Sequence, residues 1–544
     1  MKKYQKLIMF TILISVFSLH SCKDYFDQNV NPNQVSNPSL PSLLSTATSK
    51  AGINSFNVAS ITNNFVQYTA NPVASAAGDT YQIVDYTGTW DALYFAMADT
   101  KDLKTSAIAQ GSSEYVGVAN VLLAYNLSLV TDLWGAAPYT DAFNTSTLTP
   151  KYDTEEENYD VINTLLDEAI VELSKTNATL KLAATSDLIH GGDRAKWLKT
   201  AYALKARALN KISKKATYNP ADVLAALNNS YTSNADDAGM ASFVLRNNWA
   251  TVARNNASLT LGGWLSEQLI DHLNGTTYGV FDPRISKITD PTSVPNNPSY
   301  PAYIGTVNGA GNRSNPPNNN TVKDENYISE SSPWTSATAP LLLVTYAELK
   351  FIEAEAALAT DPTRAYNAYL AGIGANMDKL QVPTVDKAAY LANPAIAVGA
   401  ANLTKALIFK EKYVATYLNP EAWNDARRNN YQYKDFTLPA NAALTSFIRR
   451  VAYPSGETTK NGANVTPLSS IGSDNASKTD VNNFTLTTTG AGTYVFNATV
   501  KYVKTTANTG VLKSGDNKGC EVTATATQTV TVTPKPVKPT IVIQ

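Results

Sequence analysis

Residues 154–173 read TEEENYDVINTLLDEAIVEL, and this stretch decides the fold class. Thr154 followed by Glu157 is a capping box, in which each residue's side chain satisfies the other's orphaned backbone N–H at a helix start. Ile162, Leu165, Leu166, Ala169, Ile170 and Leu173 then recur at the three- and four-residue intervals of one helix face. The three glutamates at the front suit the positive end of a helix dipole.

The same periodicity extends in both directions. Val116, Ala119, Leu123, Leu127 and Val130 are spaced as a helix over 116–131. A helix over 194–213 follows Gly191-Gly192-Asp193, with Asp193 as cap and Leu198, Ala201, Tyr202, Leu209 and Ile212 as its inward stripe. Residues 341–358 (LLLVTYAELKFIEAEAAL) are apolar almost all round and predict a buried helix, with further helices near 363–379 and 402–418. The chain is therefore expected to be mainly α, with long irregular loops between helices. The longest, 286–340, is rich in Pro, Asn, Ser and Gly, and a loop of that length inside a domain is usually functional or mobile.

Beyond residue 465 the period changes to two. Tyr494, Phe496, Ala498, Val500 and Tyr502 alternate with polar residues, as do Val522, Ala524, Ala526, Val530 and Val532. With Gly490, Gly492, Gly510 and Gly515 as turn signals, this reads as a small C-terminal all-β sandwich over 470–533, ended by a proline-rich tail over 534–544.

At the other end, Lys2, Lys3 and Lys6 precede an apolar run from Leu7 to Leu19, then Ser21 and Cys22. A basic start, a short apolar core and a small residue before the cut describe a secretory signal over 1–21. The run is too short to span a bilayer, which needs about 20 residues. Leu19-His20-Ser21-Cys22 resembles a bacterial lipobox, so Cys22 is expected to carry lipid, with a polar tether over 22–42 and the helical domain over 43–465. No apolar run of membrane length is expected after Leu19. Of two cysteines, Cys520 is then left without a disulfide partner. Loss of the three lysines takes the net charge from −1 to about −4, which argues against a nucleic-acid partner. His190 and His272 are the only histidines beyond the signal, and they lower the prior for zinc sites and Ser-His or Cys-His triads. No metal or cofactor is expected.

Seven segments in order resemble the SusD/RagB family of outer-membrane lipoproteins: Asp132–Tyr139; Lys151-Tyr152-Asp153; Gly192-Asp193 through Trp197 and Arg207; Asp282-Pro283-Arg284; Thr345–Glu348 with Ala354-Glu355-Ala356; Glu421–Trp423 with Arg427-Arg428; and Arg449-Arg450 through Tyr453-Pro454, Glu457 and Asn461. The tail, with its Gly-Thr-Tyr start at Gly492, resembles a PKD or other immunoglobulin-like module. The family resemblance implies a scaffold of TPR-like helix pairs, lipid-anchored at the outer membrane and facing outward. It also implies capture of an oligosaccharide or peptide for a SusC-like TonB-dependent transporter, without catalysis.

Ligand-binding aromatics belong on loops held by a rigid scaffold, where they stack on sugar rings while Asn, Asp or Arg bond the hydroxyls. Two loop regions qualify. Residues 72–90 carry Tyr81, Asp85, Tyr86 and Trp90; residues 278–334 carry Tyr278, Tyr300, Tyr303, Arg313 and Trp334. Trp134, Tyr139, Trp197 and Trp423 are read as core. Glu348, Glu353 and Glu355 invite a paired-carboxylate hydrolase, but on an apolar helix a carboxylate answers a buried arginine or a helix end. The competing functions are a surface glycoside hydrolase and an adhesin or scaffold working through the C-terminal module.

Overall fold

A computed structural model describes residues 38–256, 263–291, 302–312, 325–469, 492–503 and 521–532. The chain divides into two compact units, with the boundary between Ser477 and Lys478.

In the first unit, α1 (Leu40–Phe65) is capped by the Ser39 hydroxyl and leads to the short strand β1 (Thr69–Ala70). Four long helices and a short one follow: α2 (Thr87–Ala109), α3 (Ser113–Trp134), α4 (Glu155–Ser174), α5 (Arg194–Lys211) and α6 (Pro220–Leu227). Each packs on its predecessor, as consecutive helix pairs do. The capping box at Thr154 forms as expected, and Asp193 caps α5 by accepting from the Ala195 and Lys196 N–H groups. Gly117 lets α3 and α4 meet closely: a Cβ there would lie 2.4 Å from Leu173 Cγ. By length and composition α3 could cross a membrane, contrary to the expectation of no such segment, but nearly all of it is buried in the protein, as in a core helix.

After strand β2 (Ala238–Met240) come α7 (Asn248–Asn256), β3 (Trp264–Leu265), α8 (Glu267–Asn274) and α9 (Ile285–Ile288). Strand β3 pairs antiparallel with β1, and β4 (Leu341–Val344) with β2. Then follow α10 (Tyr346–Ala357), α11 (Pro362–Lys379), α12 (Thr384–Ala392), α13 (Lys405–Ala415), α14 (Glu421–Arg428), α15 (Ser455–Lys460) and α16 (Gly462–Ser469). Helix α10 packs against α11, α13, α5 and α6, which joins the two helical halves, and one apolar cluster runs from Leu40 to Val465.

Two sequence expectations shift. The predicted helix over 341–358 is a strand and a helix: Thr345 accepts from the Glu348 N–H as N-cap, and 341–344 pair with β2. In α5 the buried face carries Trp197, Ala201, Leu204, Arg207 and Ala208, while Leu198, Tyr202 and Leu209 are half-buried. The phase is turned because Arg207 points inward, donating Nε to Glu348 Oε1 at 2.7 Å and Nη2 to Glu348 Oε2 at 2.6 Å. Glu355, two turns along the same helix, accepts from Arg428 Nη2 at 2.8 Å. Burial works against the Glu355 charge, but Arg428 and Lys405 hold its carboxyl well below the usual range. Arg284 is fully buried and shared by Asp282 and Glu411. These motif residues tie elements together, and Trp134, Trp197 and Trp423 are buried as read.

The second unit contributes β5 (Gly492–Val503) and β6 (Glu521–Val532), antiparallel in a continuous register from Gly492↔Val532 to Val503↔Glu521. The two alternating stretches are thus strands. The expected sandwich, with its PKD or immunoglobulin-like identity, needs two sheets, and the described residues form one antiparallel pair.

Candidate functional site

The two loop regions nominated from sequence meet in space. Asp79, 1% exposed, accepts from Asn308 Nδ2 at 2.5 Å, the Gly309 N–H at 2.6 Å and the Asn71 N–H at 3.2 Å. Burial raises its carboxyl above the usual range against the pull of these donors. The Ser75 N–H donates to Gly309 O at 2.9 Å, and the Asn312 N–H to Pro72 O at 3.0 Å. A third loop joins them, with the Ala440 N–H bonding Asn308 O and the Ala443 N–H bonding Thr80 O, both at 2.8 Å. Gly309 sits at φ +79, and a Cβ there would lie 1.8 Å from Ala440 O, so only glycine lets the three strands of chain approach. Ser75, Tyr81, Asp435 and Asn441 also hold left-handed φ on these loops, and such strain clusters where surroundings over-determine a backbone.

Between this loop assembly and the start of α8 lies a polar cleft of about 200 Å³, lined by Gln268, Asp271, Thr276, Asn308, Asp435 and Thr437. Its walls offer amide, hydroxyl and carboxylate groups, which suit a ligand rich in hydroxyls. In the second loop region, Phe281 is 55% exposed and lies 6.4 Å, centroid to centroid, from half-buried Tyr303. Tyr327, half-buried, leans on Trp264 at 6.2 Å. The exposed carboxylate of Asp290 takes the Ser329 hydroxyl at 2.9 Å.

The sequence candidates distribute unevenly over this face. Tyr81, Trp90 and Trp334, at 3%, 5% and 6% exposure, are core residues. Tyr81 meets Phe65 edge-on at 6.0 Å, and Trp90 sits on α2 edge-on to Trp134 at 5.0 Å, so neither presents a ring face to a ligand. Asp85 is exposed but occupied: it accepts from Thr87 N–H at 3.0 Å and from the Ser455 hydroxyl. The Ser455 and Thr87 hydroxyls lower its carboxyl to about 2. Tyr86 is half-buried, its phenol pushed up to about 12 by burial. Tyr278 is half-buried edge-on to His272 at 4.6 Å, with Lys410 Nζ 4.9 Å from its ring. Tyr303 is the candidate that shares the surface with an exposed aromatic. Tyr300, Arg313 and Cys22 lie outside the described residues. Phe281 and Tyr327 were not nominated; the signal for Phe281 was its place directly before Asp282-Pro283-Arg284, whose charges are locked inward.

Helix pairs that hold up one loop-built polar and aromatic face define a helical-repeat scaffold. Residues 32–454 match the model of the SusD-like family described as "Starch-binding associating with outer membrane", and the chain belongs to that family. Among solved structures it is similar to a SusD/RagB family protein from Bacteroides thetaiotaomicron (TM-score 0.64, 21% identity, covering 79% of this chain and 96% of that one). It is similar also to a chitin-binding SusD homologue from Flavobacterium johnsoniae (TM-score 0.66, 20% identity, covering 79% and 95%). A chitin-binding protein (TM-score 0.65, 23% identity, covering 78% and 96%) shares the fold as well. No curated protein matches the chain. The family match ends before the C-terminal unit.

Proposed function

We propose that this protein captures an oligosaccharide on its loop face and passes it to a SusC-like TonB-dependent outer-membrane transporter, as a lipoprotein anchored through Cys22 and facing outward. The observation that carries the capture is the pairing of solvent-facing Phe281 with Tyr303 beside a polar cleft. An apolar ring face offers stacking to a pyranose, and the cleft's amides, hydroxyls and carboxylates take its hydroxyls. The family's description and the chitin-binding relatives support a glycan over a peptide. Binding without turnover is the mechanism: Glu348 and Glu355, two carboxylates that invite a hydrolase reading, are committed to Arg207 and Arg428. The C-terminal unit remains, in this reading, an immunoglobulin-like accessory module.

The test is calorimetric titration of the full chain with starch-, chitin- and other glycan-derived oligosaccharides and with peptides, with product analysis of each mixture. Saturable binding of an intact oligosaccharide is expected. Phe281→Ala and Tyr303→Ala should each weaken it by about tenfold, the worth of one stacking contact at ~1–1.5 kcal/mol. Cleaved ligand would make the protein an enzyme. Retained affinity in the double variant would move the site off this face.

A further inference from the structure

We infer that a second ligand site, for an oligosaccharide bearing a carboxylate or sulfate group, lies in the cleft between the C-terminal ends of α3, α5 and α14 and the start of α4. The cleft encloses about 760 Å³, within the range of small-ligand sites, and shares no lining residue with the loop-face cleft. The inference is independent of the loop-face reading.

The floor is a satisfied polar layer. Asp132 accepts from Lys211 Nζ at 2.6 Å, Tyr159 Oη at 2.7 Å and Asn424 Nδ2 at 2.8 Å, while Lys211 also lies 3.0 Å from Glu421. Arg428 is spent on Glu355 and Asp425. The basic wall above this floor is built differently. Lys214 and Lys215 are exposed, and no carboxylate lies within ion-pairing distance of either among the described residues. Arg427 lies over the Trp423 ring at 3.9 Å and gives its hydrogen bonds to neutral acceptors, Arg449 O at 2.8 Å and Asn424 Oδ1. Arg449 also lines the cleft and is itself engaged, giving Nη1 to Arg427 O at 3.2 Å and Nη2 to Asn430 Oδ1 at 2.6 Å.

Of the acidic lining residues, Glu155 and Glu156 stand in the first turn of α4, where the helix dipole accounts for them, and Asp160 one turn further on. Lys214 and Lys215, with the Arg427 guanidinium bonded to neutral acceptors, thus give the cleft a basic wall suited to an oxyanion. Arginine and lysine bind carboxylate and sulfate oxygens by charge-assisted hydrogen bonds. The second observation concerns the uncharged part of a ligand. Thr131 lines the cleft at 1% exposure with Oγ1 unpartnered, and Asn163, half-buried, lines it with Oδ1 unpartnered. Both oxygens accept from a sugar hydroxyl. A ligand with one oxyanion and several hydroxyls answers both features; a bare inorganic anion answers only the first.

The experiment titrates the full chain carrying Phe281→Ala and Tyr303→Ala, which silences the loop face, with an oligogalacturonide (carboxylate), a carrageenan oligomer (sulfate ester) and an agarose oligomer (uncharged). Each is run at about 50 and about 200 mM salt. One or both acidic oligomers should bind saturably and weaken as salt rises, the two arms identifying the oxyanion. The exposed pair Lys214→Glu/Lys215→Glu should lower that affinity at least about tenfold with an unchanged melting temperature. Thr131→Val, nearly isosteric, should lower it severalfold without altering the salt dependence. Equal binding of the uncharged oligomer, undiminished binding by the lysine variant, or no binding of either acidic oligomer would overturn the site.

Discussion

At the scale of single residues, the side chains that look most chemical in sequence are the ones most committed to structure. Arg207 and Glu348 meet side-on through two hydrogen bonds inside the protein, with Arg207 also donating to Leu343 O at 2.8 Å. A buried pair of this kind adds little over an apolar replacement, because desolvation offsets the Coulombic gain, yet removing one partner leaves a naked buried charge. Glu348→Ala should therefore destabilise by about 3–5 kcal/mol in urea unfolding, with Glu421, 3.9 Å away, supplying only partial relief. Arg207→Met combined with Glu348→Leu should recover most of the loss. A single variant that melts at the wild-type urea midpoint would show that the guanidinium is hydrated after all. This commitment was readable from an apolar helix carrying two glutamates seven residues apart. Site residues were harder to read. Tyr81 and Trp90 were nominated because loops carry ligand contacts, but Tyr81 follows Asp79, whose bonds to residues 229 and 230 positions away turn the chain inward. No local pattern encodes a contact of that range.

At the scale of elements, helix positions were legible wherever caps and periodicity agreed, as at Thr154 and Asp193. They failed where an apolar run had no period: residues 341–344 became a strand because β2 offered an edge to pair with. Helix phase failed once, in α5, because a basic residue inside the buried stripe is invisible to a hydrophobic pattern. The close contact of α3 with α4 was also unreadable, since a lone glycine in a helical pattern costs propensity and says nothing of its neighbour. Gly117→Ala tests that contact. Alanine favours the helix by about 1 kcal/mol, while forcing a Cβ to 2.4 Å from Leu173 Cγ costs about 1–3 kcal/mol in overpacking. Net destabilisation is expected. Leu173→Ala, damaging alone, should be less damaging in the Gly117→Ala background, and the double-mutant cycle reads that coupling. Strictly additive effects would mean that the helices separate freely.

At the scale of the whole helical unit, stability should depend on two buried neutral histidines. His272, 2% exposed, stacks on Tyr413 at 5.3 Å, and burial depresses it from 6.5 to about 3; Lys410 and Arg284 push the same way, against Glu411. His190, bonded through Nε2 to Thr200 Oγ1 at 2.8 Å, is depressed by burial from 6.5 to about 4, against Asp187. A folded-state value below the unfolded one means that the unfolded chain binds more protons in the interval between them. The stabilisation is thus complete above pH 6.5 and is lost as pH falls, by about 1.4 kcal/mol per pH unit for each histidine. Glu411, held from 4.5 to about 2 by Arg284 and Lys410 against its burial, adds to the loss only below about pH 4.5. In the window from 6.5 to 4.5 the histidine loss runs without Glu411, while Asp79, Asp237 and Glu348, whose carboxyls burial raises, act in the opposite sense, so the histidine share is read from the difference between variant and wild type. His272→Phe keeps an aromatic ring against Tyr413 and removes one titrating group. It should flatten the slope by about 1.4 kcal/mol per pH unit, whatever it does to stability at neutral pH. A variant whose midpoints track the wild type through the whole window would show that His272 is already protonated in the folded protein, its charge answered by Glu411.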